Sequence, residues 1–298
     1  MAEMATKRKF KKRTVEDFVI DTIVYVTLIL LSVLTIIPFM QVVTVSMSPP
    51  AVVSSYGVHL IPLQFDWDGY RKIFAYHQIW IGYQNTIVRV FLGIIVSMTL
   101  MILAAYPLSK KNLVHRKFWT IFMVFTMFFS GGLIPTYLIV KGVGLYNSVW
   151  ALVLPVAINT FTMLIIRNYF MSLPEEIQES ARIDGANEFV ILTRIILPIS
   201  IPILATVGLW TLVYHWNEWF NAMIYLKDSK KAVLQLVLRK IMFEGSEPQA
   251  VEATNTIYAN TDTMKMAALM VSLIPLLVVY PFLQKYFVKG VMIGSLKG

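Results

Sequence analysis

Long apolar stretches separated by short polar segments dominate the chain. Charged side chains are absent from six stretches, which cover residues 22–65, 90–109, 118–140, 142–166, 195–217 and 266–284. Apart from the first, each is close to the ~20 residues that an α-helix needs to cross a ~30 Å hydrocarbon core. Backbone amides in lipid must be paired within the segment, so these stretches are predicted to be helices. The predicted fold class is all-α integral membrane, with six transmembrane helices.

The predicted helices cover about 19–43, 84–107, 118–140, 147–170, 198–224 and 264–287. The third is interrupted by Ser130-Gly131-Gly132 and Pro135, which indicates a helix break or close packing. We expect one membrane domain at 19–290 that includes a polar loop at 172–197. A basic tail at 1–18 and a short C-terminal tail at 291–298 complete the predicted organisation.

Composition supports a membrane protein, and the distribution of basic residues predicts its orientation in the membrane. The chain is 57% apolar and 14% charged, with a mean hydropathy of +0.66, which excludes a water-soluble globular domain. Most basic residues fall in the tail at 7–13, the turn at 108–117, the loop at 172–197 and the C-terminal region, which places both termini in the cytoplasm. The basic loop at 225–263 runs against this bias. The net charge of +9 fits contact with anionic lipid headgroups better than nucleic-acid binding.

The most distinctive polar segment is PEEIQESARIDGANEFVILTRIILPISIP, which starts at Pro174. Ser172 and Glu175 have the spacing of a capping box at a helix start. Gly185 permits a positive φ, so the chain is predicted to reverse there before a second helix at about 187–196. Phe189, Leu192 and Ile196 are predicted to share one face of that helix. The residues alone leave two interpretations open: an ordinary connecting loop, or an amphipathic element that docks on a soluble partner.

The spacing within this segment closely resembles the EAA loop of ABC-importer permeases. Glu179-Ser180-Ala181 is followed by three residues and Gly185, and nine further residues lead to Ile195-Ile196-Leu197-Pro198. The resemblance implies a cytoplasmic coupling helix that fits a cleft in an ATP-binding subunit. The coupling residues implied are Glu179, Ser180, Ala181, Asp184, Gly185 and Ala186. Ser180 departs from the pattern, which has its first Ala there.

Three other segments are similar to maltose-type permeases of carbohydrate-uptake ABC importers, in a branch linked to complex polysaccharide fragments. They are Gly131–Thr136, Trp216–Phe220 and Pro281–Gly290. This resemblance implies a homologous second permease, two ATP-binding subunits that carry Mg-ATP, and an extracytoplasmic sugar-binding protein. It also implies a bacterial cytoplasmic membrane, with lipid as a further partner, and a C-terminal tail whose Ser295 and Lys297 touch the ATPases. No cofactor is expected in this chain.

A candidate substrate path consists of one residue in helix 4 and four at the end of helix 5, namely Asn159, His215, Trp216, Asn217 and Trp219. Aromatic faces stack on sugar rings, and the polar groups would bond to hydroxyls. The alternative for the helix 5 residues is an aromatic belt at the membrane surface. The alternative for Asn159 is a hydrogen bond between helices.

The sequence lacks the common motifs of nucleotide-binding, metal-binding and catalytic sites. It contains no G-x-x-x-x-G-K-[ST] phosphate loop, no H-E-x-x-H and no G-x-S-x-G, and it has no cysteine. No catalytic or metal site is therefore predicted, and a membrane enzyme is disfavoured. Two transport alternatives remain: a permease for peptides or amino acids, and an ion-driven secondary carrier. The carrier would need buried charges, whereas only the peripheral Glu218 is predicted near a span.

Overall fold

The computed structural model describes residues 15–53, 60–243 and 261–295, and all regular structure within these ranges is helical. The first helices are α1 (Val15–Ser46), α2 (Pro50–Val53), α3 (Asp68–Ala75), α4 (His77–Ser109), α5 (Arg116–Phe128), α6 (Leu133–Gly142) and α7 (Trp150–Val153). They are followed by α8 (Thr160–Ser172), α9 (Glu175–Ile183), α10 (Glu188–Ile191), α11 (Leu197–Ile199), α12 (Ile201–Asn217), α13 (Phe220–Tyr225), α14 (Leu234–Phe243) and α15 (Thr261–Ser295). A π-helical turn, Leu192–Ile196, joins α10 to α11.

The predicted spans are present as three single helices and three bent pairs. Val15–Ser46, His77–Ser109 and Asp262–Pro281 are each long and apolar enough to cross a membrane. The pair α5 and α6 is bent by 109°, Trp150–Val156 and α8 by 54°, and Glu188–Ile199 and α12 by 83°. Counting each bent pair as one span gives up to six within the described ranges, in agreement with the sequence pattern.

The break inside the third predicted span lies where the sequence indicated it. α5 ends at Phe128 and α6 begins at Leu133, and Gly132 between them has a φ of +85°. Glycine reaches this left-handed region at no steric cost, whereas other residues are strained there. The glycine pair therefore lets the chain turn sharply within an otherwise apolar segment.

The chain divides into two compact units, which are described separately. In the described ranges, the first contains residues 15–53, 60–70 and 261–267. Most side chains of α1 are exposed around its whole circumference and are apolar, as expected for a helix surrounded by lipid. Near the end of α1, the Ser46 hydroxyl lies 2.9 Å from the Tyr70 hydroxyl. α1 begins at Val15, so part of the predicted tail is helical, and residues 1–14 of that tail lie outside the described residues.

The second unit, residues 71–243 and 268–295 in the described ranges, is organised around α4. α4 packs against α8, α12 and α14. Toward the end of α4 lies an apolar core with contributions from α4, α8 and the 188–217 segment. Its fully buried members include Met101, Ala105, Met163, Ile166 and Ile191.

Glycine allows α4 to approach its neighbours closely at two positions. A Cβ on Gly93 would lie 2.4 Å from two ring atoms of His215 on α12, and one on Gly82 would lie 2.9 Å from the Cα of Leu234 on α14. The His215 side chain is 1% exposed, so its ring is enclosed by its neighbours and has little room to move away. The contact between α4 and α12 therefore depends on the absence of a side chain at residue 93.

A buried ion pair joins the same two helices. Arg89 on α4 is fully buried, and its Nη2 lies 2.6 Å from Oε2 of Glu218, which follows α12. Arg89 Nη1 also donates to the Glu218 carbonyl at 2.6 Å, and Glu218 Oε1 accepts from the Asn221 amide at 2.6 Å in the first turn of α13. The prediction that no charged residue is buried among the spans is wrong, because Arg89 lies on the face of α4 that packs against α12.

Adding one methyl group at residue 93 should destabilise the α4–α12 contact. We expect Gly93→Ala to lower the free energy of unfolding by about 1–3 kcal/mol, because the enclosed His215 ring blocks the new Cβ. Apparent Tm of the purified protein in detergent measures the effect. The matched control is Gly208→Ala on α12, where a Cβ meets nothing within 4 Å. Equal Tm values for the two variants would show that the close approach is unimportant.

Breaking the buried ion pair should cost far more than breaking an exposed one. We expect Arg89→Gln or Glu218→Gln to destabilise by about 3–5 kcal/mol, since each leaves a poorly solvated charge without its partner. The double variant removes both charges and should lose less than the two single losses combined. Lys111→Gln, in an exposed ion pair, is the control and should cost less than about 1 kcal/mol. Purely additive losses in the double-mutant cycle would contradict the coupling.

Candidate functional site

The polar loop between α8 and α12 forms a helix, a tight turn and a second helix, as the sequence indicated. Its start differs from the prediction, because Ser172 and Glu175 form no capping box. Ser172 is the last residue of α8, and its hydroxyl donates to the Tyr169 carbonyl at 2.8 Å. Pro174 is the N-cap of α9 and makes no side-chain cap. Glu175 is instead drawn to Lys111, a contact across 64 residues that local spacing does not reveal.

Gly185 ends α9 with a pair of backbone hydrogen bonds. Its φ is +83°, its amide donates to the Arg182 carbonyl at 3.0 Å, and the Ala186 amide donates to the Ala181 carbonyl at 2.9 Å. These two bonds with a left-handed glycine define a Schellman motif, which satisfies carbonyls that the helix end leaves open. The predicted reversal at Gly185 is confirmed.

One face of α9 docks on the end of α4 and the residues just after it. Glu175 Oε2 accepts from Lys111 Nζ at 2.7 Å, and the buried Gln178 accepts from Lys110 Nζ. The hydrogen bond from Lys111 lowers the pKa of the Glu175 carboxyl. Partial burial lowers the pKa of the Lys110 ammonium, and the nearby Glu188 carboxylate partly opposes that shift. Residues 175, 178 and 182 are three and four apart, so they line one side of α9.

Glu188, the first residue of α10, connects both helices of the loop to α4. Its Oε1 accepts from Arg182 Nε on α9 at 2.9 Å. Its Oε2 accepts from the Tyr106 hydroxyl on α4 at 2.6 Å and lies 3.4 Å from Lys110 Nζ. One carboxylate therefore fixes the position of the loop relative to α4. Asn187 caps α10, because its side chain accepts a hydrogen bond from the Val190 amide at 2.9 Å. This cap fixes the start of α10 and therefore the position of Glu188, its first residue.

The six predicted coupling residues divide into two groups. Glu179, Ser180, Asp184 and Gly185 are exposed, whereas Ala181 and Ala186 are half-buried and pack against the core around α4 and α8. These two small residues allow close approach of the loop to the chain's own core.

The side of the loop that faces away from this core exposes large apolar residues among acidic ones. Ile183 is 86% exposed and Phe189 is 69% exposed. Phe189 was predicted to share a face with Leu192 and Ile196, but those two residues are buried and Phe189 is not. α10 is only four residues long and gives way to a π-turn at Leu192, so the regular helical period does not extend from Phe189 to Ile196. Exposed apolar side chains on a polar loop are typical of an interaction surface.

The candidate substrate-path residues are not brought together on one surface. Asn159 is exposed and caps α8 by accepting from the Thr162 amide at 2.9 Å. His215 and Trp216 are buried. Asn217 and Trp219 are exposed, and the Arg239 guanidinium lies 4.7 Å from the centre of a Trp219 ring. Asn159, Asn217 and Trp219 are therefore accessible in this conformation, whereas His215 and Trp216 are not.

Sequence reasoning missed Arg89 and Glu188. Arg89 lies within the predicted helix at 84–107, just before a charge-free stretch, and was not singled out from the sequence. The sequence feature that reveals the helix face of Arg89 is the spacing of small and polar residues along α4. These residues, at positions 82, 86, 89, 93 and 97, are buried. Steps of three and four residues place Arg89 on the helix face that packs inward. Glu188 offered no such signal, because Tyr106, its partner on α4, lies 82 residues away in the sequence.

Two further predictions bear on the ends of the chain and on metals. Ser295 is the last residue of α15, and Lys297 lies outside the described residues. Among the described residues, no group of three or more His, Cys, Asp or Glu side chains could hold a metal ion.

The chain is similar to proteins of one transport family. The family described as "Binding-protein-dependent transport system inner membrane component" matches residues 79–293. The Polygalacturonan/rhamnogalacturonan transport system permease protein YtcP of Bacillus subtilis is 41% identical, over 93% of this chain and 98% of the relative. Protein LplC of the same organism is 38% identical, over 89% of this chain and 90% of the relative.

Solved structures agree with the fold. A chain from the crystal structure of a bacterial ABC transporter involved in the import of the acidic polysaccharide alginate matches with a TM-score of 0.84 and 29% identity. The match covers 93% of this chain and 99% of that one. A second chain, from a bacterial alginate ABC transporter in complex with a pentasaccharide-bound periplasmic protein, has a TM-score of 0.63 at 16% identity, which supports the fold alone.

The matches to YtcP and to the alginate-importer chain span nearly the whole chain. They favour a transport component over an enzyme or an ion-driven carrier. The chain therefore belongs to the family of binding-protein-dependent transport system inner membrane components, and it is a multi-pass permease subunit of an ABC importer.

Proposed function

We propose that this permease imports oligosaccharides released from complex polysaccharides, driven by ATP that separate subunits hydrolyse. The observation that carries the substrate class is the similarity to YtcP over nearly the full length of both chains. The likeness to a chain of an alginate importer supports it independently. A permease for peptides or amino acids is the alternative. Solutes do vary among relatives, since UgpE of Yersinia pestis, a sn-glycerol-3-phosphate permease protein, is 28% identical over 70% of this chain.

The proposed assembly contains a homologous second permease, two ATP-binding subunits that carry Mg-ATP, and an extracytoplasmic sugar-binding protein. The family description, which names a binding-protein-dependent system, supports the last of these. The proposed location is the bacterial cytoplasmic membrane, with both termini and the loop at 172–197 in the cytoplasm. The basic residues around this loop support that orientation. Ser295 and Lys297 are proposed to reach the ATP-binding subunits.

The proposed coupling surface is the side of the loop that faces away from α4. It consists of Glu179, Ser180, Ile183, Asp184 and Phe189. Exposed apolar side chains with an acidic rim suit a groove in a soluble subunit that has apolar walls and basic edges. When ATP closes the two ATP-binding subunits, a docked loop moves with them.

Motion of the loop would reach the membrane core through the contacts of α9 and α10. The pairs Glu175–Lys111 and Arg182–Glu188 and the Tyr106–Glu188 hydrogen bond attach the loop to α4. α10 also continues through the π-turn toward α12, which carries the motion across the membrane. Alternating access then follows, because α4 and α12 change position relative to the second permease. Asn159, Asn217 and Trp219 remain the accessible candidates for sugar contact.

Strain at Gly185 should uncouple transport from ATP hydrolysis. Gly185→Val places a β-branched residue at a φ of +83°, which costs at least about 1–2 kcal/mol and distorts the end of α9. In the reconstituted complex, we expect oligosaccharide-loaded binding protein to stimulate ATPase activity about tenfold less than in the wild type. Membrane levels of the variant should stay normal, because a Cβ there meets no atom within 4 Å.

Gly144→Val is the matched control for this experiment. Gly144 has a φ of +77° and the same two hydrogen bonds at the end of α6, so the backbone strain is equal but lies away from the loop. Its stimulation should equal that of the wild type. Normal stimulation in Gly185→Val would refute the coupling role. If peptides stimulate the wild-type complex and oligosaccharides do not, the proposed solute is wrong while the coupling role stands.

Removing the Glu188 carboxylate should impair coupling with little effect on stability. Its ion pairs are partly exposed, and such pairs contribute about 0–1 kcal/mol each. We therefore expect Glu188→Ala to lower sugar-stimulated ATPase several-fold while apparent Tm changes little. Tyr106→Phe should give a smaller loss in the same direction. Asp262→Ala, which breaks the exposed pair with Lys265, is the control. Loss of Tm in parallel with activity would mean that Glu188 is merely structural.

A further inference from the structure

Two arginines from different helices meet at one carbonyl oxygen at the end of α4. Arg116 Nε, at the start of α5, donates to the Leu108 carbonyl at 3.1 Å, and Arg167 Nε on α8 donates to the same oxygen at 3.0 Å. The two Nε atoms can therefore be no farther apart than the sum of these distances. A backbone carbonyl accepts both donors but carries no full charge, so two positive charges are held side by side.

No carboxylate neutralises this pair within the part of the chain that the structure describes. The further contact of Arg116 is its Nη2 with the Met171 sulfur at 3.1 Å, which is a weak acceptor. Both arginine side chains are half-buried, so water solvates them only in part. A guanidinium has five N–H donors, and most of those on these two residues have no protein acceptor. The site is thus suited to an anion that accepts several hydrogen bonds at once.

Several apolar side chains close to the two arginines in sequence are exposed. Phe118 and Trp119, which follow Arg116 on α5, are 60% and 48% exposed, and Val114 and Met171 are also exposed. Aromatic residues with an exposed apolar body are typical of the depth of the lipid headgroups. A ligand that fits both parts of this surface has an anionic head and an apolar tail.

We propose that Arg116 and Arg167 bind the phosphate of an anionic phospholipid headgroup, with its acyl chains along α5. Guanidinium groups match phosphate oxygens in a bidentate manner, and basic pockets between transmembrane helices bind anionic headgroups. An acidic side chain of a partner protein is disfavoured, because exposed apolar residues flank the pair. The inference rests on the proposed function for the leaflet alone, since it assumes that the end of α4 faces the cytoplasm.

The test is retention of lipid by the purified, fully assembled importer. The complex is extracted in detergent, exchanged into detergent containing phosphatidylglycerol or phosphatidylethanolamine, and measured by native mass spectrometry without nucleotide. We expect the wild type to retain phosphatidylglycerol and Arg167→Gln to retain about tenfold less. Lys117→Gln removes the same charge from the exposed neighbour of Arg116 and should lose no more than about twofold.

Several outcomes would overturn the site. Equal retention by Arg167→Gln and wild type, or equal losses in Arg167→Gln and Lys117→Gln, would show that no specific pocket exists. Displacement of phosphatidylglycerol by millimolar inorganic phosphate would assign the pair to free phosphate. If Arg167→Gln does not assemble, Arg167→Lys replaces it as the test variant, because lysine keeps the positive charge but lacks the planar guanidinium that donates two hydrogen bonds. Full retention of phosphatidylglycerol by Arg167→Lys would equally refute the proposal. Failure of coupling through Gly185 would leave these measurements unaffected, because they require neither ATP nor transport.

Discussion

Two glutamates attach one stretch of chain to α4 at both of its ends. Glu218, just after α12, pairs with Arg89, and Glu188, at the start of α10, pairs with Lys110 and accepts from Tyr106. Between them the chain bends by 83° near Ser200. The bent segment is therefore attached to α4 at both ends, and in the proposed mechanism α4 moves with it. The proposed coupling depends on this arrangement, since movement of the loop would reach α4 through these contacts.

The two attachments differ in strength for a physical reason. Arg89 is fully buried and the Glu218 side chain is only 13% exposed, so water competes little for either charge. At the other end, the Glu188 side chain is 54% exposed and shares its carboxylate among three partners. Weak, water-screened contacts hold position without adding much stability. Segments that move during function are drawn from such regions, whereas the Arg89–Glu218 end acts as the firm one.

The elements that depend on local sequence could be predicted, and those that depend on distant partners could not. Apolar length predicted the spans, and glycine chemistry predicted both the break at Gly132 and the reversal at Gly185, because lipid and backbone sterics act on neighbouring residues. The capping box at Ser172 failed, since Glu175 is drawn to Lys111 in another helix. The face of Phe189 was wrong because a π-turn interrupts the regular period. Arg89 was missed because its partner lies 129 residues away.

The residues on the two opposite sides of α9 are subject to different structural constraints. Residues that hold it to the membrane core, such as Gln178 and Ala181, are restricted by the fold itself and must suit α4. Residues on the other side, such as Ser180 and Ile183, are exposed, so packing within this chain does not fix their identity. Ser180, which stands where the EAA pattern has Ala, is therefore compatible with the same scaffold. Under the proposed coupling, changes on this exposed side would match a permease to its ATP-binding subunits without disturbing the helices that cross the membrane.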